Sequence, residues 1–224
     1  MSAGFQVLTR QKQVTAELAE KFRSIPVSTA SDSMNRMTAG GAALRPMHAG
    51  AVMSGPAVTV KTRPGDNLMV HLALDLALPG DVVVVDAGGD VTNAIIGELM
   101  VMHASARGLG GIVIFGAIRD SGAIAAQDFP VYALGVTHRG PYKDGPGEIN
   151  VPIAVSGMVI APGDLVIGDL DGVLAVPLEE AEAVYVAAHA KNEHELRQAV
   201  KLRAGTSDRS AIRERAVSLG ATFS

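Results

Sequence analysis

Apolar and polar positions alternate along this chain with two different periods, and each change of period marks an element. Val14, Leu18 and Phe22 recur four residues apart, the stripe of an amphipathic helix over residues 11–22, and Pro26 then ends it. Ser28 or Thr29 is placed to cap a second helix to about Met37, whereas residues 45–49 show no period. Residues 51–62 read as β, because Val58 and Val60 alternate with Thr59 and Lys61. Leu68, Leu72 and Leu76 return to helical spacing over residues 67–78.

Residues 82–85, 112–115 and 165–167 are continuous apolar runs, as in strands buried on both faces. Pro-Gly-Asp turns begin at Pro64, Pro79 and Pro162, and the last two feed straight into such strands. Residues 94–107 read as a helix, so the strands at 82–85 and 112–115 are expected to be parallel neighbours joined by a crossover. From Val131 to Val176 the pattern breaks into short β segments split by Gly and Pro. A long helix from Glu179 to about Arg203 and a polar tail follow. No linker or low-complexity tract divides the chain, which reads as one α/β domain over residues 1–224 with a β-rich second half.

Composition narrows the chemistry. The 224 residues are 48% hydrophobic and 19% charged, enough to bury a core without disulfides or a structural metal. Cysteine is absent, which removes thiol nucleophiles, Cys-ligated zinc and iron–sulfur clusters; any metal must sit on oxygen or imidazole. A net charge of −4 supplies no basic field for nucleic acid. The N-terminal segment is polar and amphipathic rather than a secretory signal, and Asp81, Asp86 and Asp90 interrupt the apolar stretch around Val82. A cytoplasmic protein with neither nucleic acid nor membrane among its partners is expected.

Arg119-Asp120 follows a buried strand, where ligands gather in open α/β sheets. A guanidinium there can clasp a carboxylate, and the adjacent carboxylate can hold a hard cation. Equally, the two residues suit a surface ion pair with Asp120 capping the next helix. Gly97-Glu98-Leu99-Met100 raises a similar choice, since Gly costs about 1 kcal/mol relative to Ala inside a helix. Gly97 either starts a helix whose free N–H groups suit a carboxylate, or lets a helix pack closely on the sheet. The Asp86-Ala87-Gly88-Gly89-Asp90 segment reads as a turn, and Gly108-Leu109-Gly110-Gly111 runs from helix to strand, the reverse of a phosphate-binding loop. Histidines 48, 71, 103, 138, 189 and 194 show no metal-ligand spacing and read as solvated, while nothing near Lys61 or Lys143 argues for a Schiff base.

Glu98, then twenty residues, then Arg119-Asp120 is similar to the acidic-X20-Arg-Asp signature of the 4-hydroxy-4-methyl-2-oxoglutarate (HMG) aldolase and RraA-like family. The likeness extends through Ser28-Thr29-Ala30-Ser31-Asp32, Gly55-Pro56-Ala57-Val58, Pro64-Gly65-Asp66-Asn67, Asn150-Val151-Pro152-Ile153 and Asp169-Leu170-Asp171-Gly172. It implies a swivelling β/β/α fold with central parallel or mixed sheets. The long C-terminal helix and tail, about 178–224, would contact a neighbouring subunit in a trimer or hexamer with active sites between subunits.

The resemblance implies a Mg²⁺- or Mn²⁺-dependent aldolase that forms pyruvate from a small 2-oxo acid such as HMG and decarboxylates oxaloacetate. Asp120 would be the metal ligand, and Arg119 would bind pyruvate and steady its enolate. Glu98 would hydrogen-bond water on the metal, and backbone amides around Gly97, Leu99 and Met100 would take the substrate carboxylate. Glu195 falls where the family has a glutamate reaching into the neighbouring site, with Glu193 as the second candidate. The family also holds regulators that bind and inhibit a ribonuclease. The regulator's pattern lacks the Asp of the Arg-Asp pair and the terminal helix, both of which are present here. A methyltransferase reading finds no Gly-rich loop after a first strand to hold its cofactor.

Overall fold

The computed structural model describes residues 4–38 and 40–223. Its first half contains β1 (Phe5–Val7), α1 (Ala16–Phe22), α2 (Val27–Ser33), β2 (Arg45–Pro46), β3 (Met53–Thr62), α3 (Leu68–Leu76), β4 (Val82–Asp86), β5 (Ala94–Ile96) and α4 (Glu98–Ala106). There follow β6 (Gly111–Ile118), α5 (Ser121–Ala125), β7 (Val131–Val136), β8 (Gly147–Ile149), β9 (Ile153–Val155), β10 (Met158–Ile160), β11 (Leu165–Asp169) and β12 (Gly172–Val176). A 3₁₀ turn then leads into α6 (Ala181–Arg203), and α7 (Ser210–Ser218) lies near the end.

The central sheet runs β1-β8-β3-β4-β6-β7-β2, with β3, β4, β6 and β7 mutually parallel. The first part of β3 also pairs antiparallel with β11, which continues into β12, while β9 and β10 form a separate hairpin. The continuous apolar runs are explained by this layering, because alternate residues of one strand enter different cores. Val83, Val85, Ile112 and Ile114 pack against Met69, Val70, Leu74, Val101 and Ala104 of α3 and α4. Val82, Val84 and Val113 face the opposite way, onto Ile153, Val155, Met158 and Val173. Leu165, Ile167, Leu174 and Val176 turn to a third core with Val14, Leu18, Phe22 and Ala188. Each fully buried Val or Ile contributes roughly 1.5–3 kcal/mol, so strands with both faces covered carry much of the fold's stability. The result is the expected β/β/α layering with a mixed sheet and a long C-terminal helix.

All three Pro-Gly-Asp turns end in a buried aspartate that accepts backbone N–H groups. Asp66 takes Leu68 N–H at 3.0 Å, Asp81 takes Leu78 N–H at 2.8 Å, and Asp164 takes those of Ala161 and Leu178 at 2.8 and 2.9 Å. Such bonds compensate the desolvation of a buried carboxylate.

Several elements differ from the pattern-based expectation. α1 begins at Ala16, where Thr15 Oγ1 caps it by accepting Leu18 N–H at 3.2 Å, and Val14 is buried ahead of the helix rather than within it. α2 starts at Val27 behind Pro26, before Ser28, and ends at Ser33; the Val27 N–H is satisfied by Asp169 at 2.9 Å. Residues 45–46 are an edge strand on β7. The leucines of α3 are not its core stripe: Leu72 and Leu76 are exposed, and Met69, Val70, Ala73 and Leu74 are buried. Residues 94–107 divide into β5 and α4 at Gly97, and the polar tail contains α7. No helix among the described residues is long and apolar enough to cross a membrane.

Candidate active site

β6 ends at Ile118, and the Arg119 N–H donates to Ile96 C=O at 3.0 Å, tying the strand's exit to β5. Asp120 then adopts φ 55°, ψ 34°, a left-handed conformation uncommon outside glycine and clustered at functional sites. Its carbonyl accepts the Ala123 and Ile124 N–H groups and so starts α5. Its side chain does not cap that helix. Instead Oδ2 accepts the Glu98 N–H at 3.1 Å, across at the first turn of α4, with Arg119 Nε 3.6 Å away.

Gly97 makes this approach possible. Its backbone is extended, at φ −143° and ψ −171°, so conformational freedom is not the reason for glycine. A Cβ there would collide with Asp120 Oδ2 and lie 3.0 Å from Arg119 Cγ and Nε. The residue therefore starts the helix, and its missing side chain faces the Arg-Asp pair rather than the sheet.

Only part of the expected row of amides is open. Glu98 N–H is held by Asp120, and those of Met100 and Val101 donate to Gly97 C=O at 3.1 and 3.2 Å. The Leu99 N–H has no partner among the described residues, which leaves one donor at the positive end of α4.

Gly97, Glu98, Leu99, Met100, Arg119 and Asp120 line one pocket of about 460 Å³. Asn67, His71, Ile95, Ile96, Pro141 and Lys143 complete it. The sequence reading missed the polar members of this second group. His71 is not a solvated histidine: it is partly buried and its Nε2 has no partner. Burial pushes its pKa down, the Lys143 charge adds to this and Asp75 opposes it, so the ring is neutral at pH 7. Asn67 is 2% exposed; its Nδ2 donates to Ile95 C=O at 2.8 Å, and its Oδ1 is unpartnered. The available signal was the i, i+4 spacing of Asn67 and His71 directly after a Pro-Gly-Asp turn, which puts the residue at the head of α3 and one in its first turn on the same side. His48 is likewise buried, bonded to Val131 and Ala51 backbone.

Glu195 and Glu193 do not line their own chain's pocket. Glu195, on α6, lies 2.9 Å from Lys191 Nζ and accepts Thr29 Oγ1–H at 3.2 Å; Lys191 also reaches Asp32 at 3.2 Å. The bond from Lys191 holds the Glu195 pKa below the usual carboxylate value. Glu193 is 3.7 Å from Arg197. The Asp86 to Asp90 segment forms the expected turn, with Asp86 accepting Gly88 N–H at 2.9 Å.

Among the described residues no group of three or more His, Asp or Glu gathers as a metal cage. The pocket's carboxylates are those of Asp120 and Glu98. That donor set fits a small hard cation, which takes one or two carboxylates and fills its remaining positions with water and substrate oxygens.

Comparison with known proteins places the chain in a family. The profile of the RraA-like family, described as Aldolase/RraA, matches residues 26–175. The chain is 41% identical over 179 residues to a Halalkalibacterium halodurans protein named "Putative 4-hydroxy-4-methyl-2-oxoglutarate aldolase", covering 80% of this chain and 85% of that one. In fold it is similar to an uncharacterized protein of Pseudomonas syringae, with a TM-score of 0.78, 24% identity and coverage of 88% and 96%. The RNA-processing inhibitor RraA of a Thermus species superposes with a TM-score of 0.63 at 29% identity, over 68% of this chain and 92% of the other. With the profile matching residues 26–175, the acidic-X20-Arg-Asp residues gathered in one pocket and a relative matched over 80% of the chain, the chain belongs to the RraA-like (Aldolase/RraA) family.

Proposed function

We propose that this protein is a divalent-cation-dependent lyase that releases pyruvate from a 4-hydroxy-2-oxo dicarboxylic acid of the HMG type and also decarboxylates oxaloacetate. The observation that carries this reading is the convergence of Arg119, Asp120 and the α4 N-terminus in one pocket, with a second cation, Lys143, at its rim. The name of the Halalkalibacterium relative supports the same class of reaction.

In the retro-aldol step the 4-hydroxyl proton leaves, the C3–C4 bond breaks, and its electron pair passes into the 2-oxo group as an enolate. Decarboxylation reaches the same enolate as CO₂ departs, and a proton added at C3 then yields pyruvate. Arg119 stabilises the charge developing on the enolate oxygen, where removing one such donor typically costs about 10²–10³ in rate. The Leu99 N–H, at the positive end of α4, binds the C1 carboxylate, and Lys143 binds the distal one. Asp120 would hold the Mg²⁺ or Mn²⁺, with Glu98 beside it orienting water to move the proton. When bound, the cation supplies Lewis-acid stabilisation of the same oxygen.

The oligomer belongs to this proposal. Beyond Ala188 no residue of α6 is buried, and Leu196, Val200 and Leu202 on α6 and Ile212 and Val217 on α7 are exposed. Those apolar positions suit a neighbouring subunit, to whose pocket Glu195 would be presented in a trimer or hexamer.

The test is pyruvate release by purified protein from HMG, oxaloacetate and related 2-oxo acids, with Mg²⁺ or Mn²⁺ and with chelator. Asp120→Ala is expected to abolish turnover and Arg119→Ala to lower it at least about 100-fold, both with unchanged circular dichroism. No pyruvate from either acid refutes the reading. Similarity to the Thermus inhibitor favours a second reading, a ribonuclease-binding regulator. It requires a stoichiometric ribonuclease partner in a pull-down and no thermal shift with cation or pyruvate.

A further inference from the structure

The polar pocket residues outside the signature share one anchor. Asp66 precedes α3, and its side chain is fully buried. Oδ1 accepts the Leu68 N–H at 3.0 Å and caps the first turn of α3. Oδ2 accepts the backbone N–H groups of Asp144 at 2.7 Å and Gly145 at 2.9 Å, and Arg63 reaches it at 3.1 Å. Around this carboxylate, Tyr142 N–H donates to Gly65 C=O at 2.8 Å and Asn67 N–H to Tyr142 C=O at 3.0 Å. Two stretches of chain thus meet on one side chain. One carries Asn67 and His71, and the other carries Lys143.

Capping α3 requires a single acceptor, which an exposed Ser or Asn supplies without burying a charge. The second oxygen is spent on the loop. Residues 140–146 form no helix or strand beyond a bridge at Tyr142; the Tyr142 backbone bonds hold the loop on one side of Lys143, and on the other side the Asp144 and Gly145 amides are held by Asp66. A binding group on a loose loop loses affinity to the entropy of ordering it, and a second shell of hydrogen bonds removes that loss.

We propose that Asp66 is a positioning residue: its buried carboxylate clamps the 141–145 loop to the start of α3, holds Lys143 over the pocket, and thereby sets affinity for the distal carboxylate of a dicarboxylic 2-oxo acid. The substrate named here rests on the lyase reading above; the clamp does not. Its hydrogen bonds to Leu68, Asp144 and Gly145, together with the Arg63 charge, outweigh burial and keep Asp66 ionised well below neutral pH.

Two measurements test it on the full-length protein. Hydrogen–deuterium exchange of the wild type should show the Asp144 and Gly145 amides protected relative to Lys143, and fast exchange at both overturns the clamp whatever the activity. Asp66→Asn should speed that exchange and raise KM for HMG, whose distal carboxylate survives the bond cleavage, about tenfold, with kcat changed less than about threefold. Lys143→Ala should raise KM by a similar factor, and the double variant no further than Lys143→Ala alone. Independent effects that multiply overturn the proposal. If Asp66→Asn does not fold, the wild-type exchange decides. If the wild type makes no pyruvate from any acid, the lyase reading fails while the amide test still judges the clamp.

Discussion

Gly97→Ala probes the site at its tightest point. The backbone there is extended, so alanine adopts it without strain. The new methyl group nevertheless falls within contact of Asp120 Oδ2 and 3.0 Å from Arg119 Cγ and Nε, where ordinary contacts are 3.4–4 Å. Arg119 must retreat by at least about 3.4 − 3.0 = 0.4 Å, and the Asp120 carboxylate by about an ångström, loosening its bond to Glu98 N–H. Misplacing catalytic groups by about 1 Å costs about 10²-fold in rate, or about 2.7 kcal/mol of transition-state stabilisation. The cost to the fold is smaller, about 1 kcal/mol for a poorer helix start, which lowers Tm by roughly 2–4 °C in a chain of this size. The assay is pyruvate release at saturating cation beside a thermal melt. A variant with kcat/KM within threefold of wild type refutes the claim that the glycine exists for this approach. Loss of activity accompanied by unfolding refutes the separation of site from stability.

Other consequences are more direct. Ile114 is fully buried between the sheet and its helices, so Ile114→Ala should destabilise by about 2–5 kcal/mol and lower Tm by roughly 4–20 °C; a fall under 2 °C contradicts its core role. Asp66 has a folded pKa below its unfolded value of about 3.9. Its ionised form therefore adds stability above that value, and this is lost as pH falls through the folded pKa. Urea melts should show the gap between wild type and Asp66→Asn narrowing from pH 6 to pH 3, and a gap independent of pH contradicts the assignment. If Glu195 serves a neighbouring site, mixing inactive Asp120→Ala and Glu195→Ala chains restores activity; no recovery after verified subunit exchange removes Glu195 from the site.

The elements most legible in the chain were those whose signal is local. Residues 82–85 and 112–115 are apolar at every position because both faces meet cores, and their parallel pairing followed from the connection between them. α3 was legible as a helix but not as to its buried face. The evenly spaced Leu68, Leu72 and Leu76 suggest one stripe, yet the face packed against the sheet is Met69, Val70, Ala73 and Leu74, offset from it around the helix. Ile95 and Ile96 suit either helix or strand, and their placement in β5 depends on pairing with β6, a partner distant in sequence. The same limit applies to the pocket. Arg119, Asp120 and Gly97 to Met100 stand out by motif, whereas Asn67, His71 and Lys143 join them through contacts between distant segments, among them the bonds of Asn67 to Ile95 and of the 144–145 loop to Asp66.

Hydrophobic period, turn residues and one short signature, all properties of the chain itself, were sufficient for the α/β class and the family, and they singled out Arg119-Asp120 as the candidate pair. Which side of each helix is buried, which amide of α4 stays open and that Lys143 lines the same pocket as Arg119 were decided by the tertiary structure. These features depend on contacts between distant segments, whose geometry exists only once three cores have closed around the same sheets.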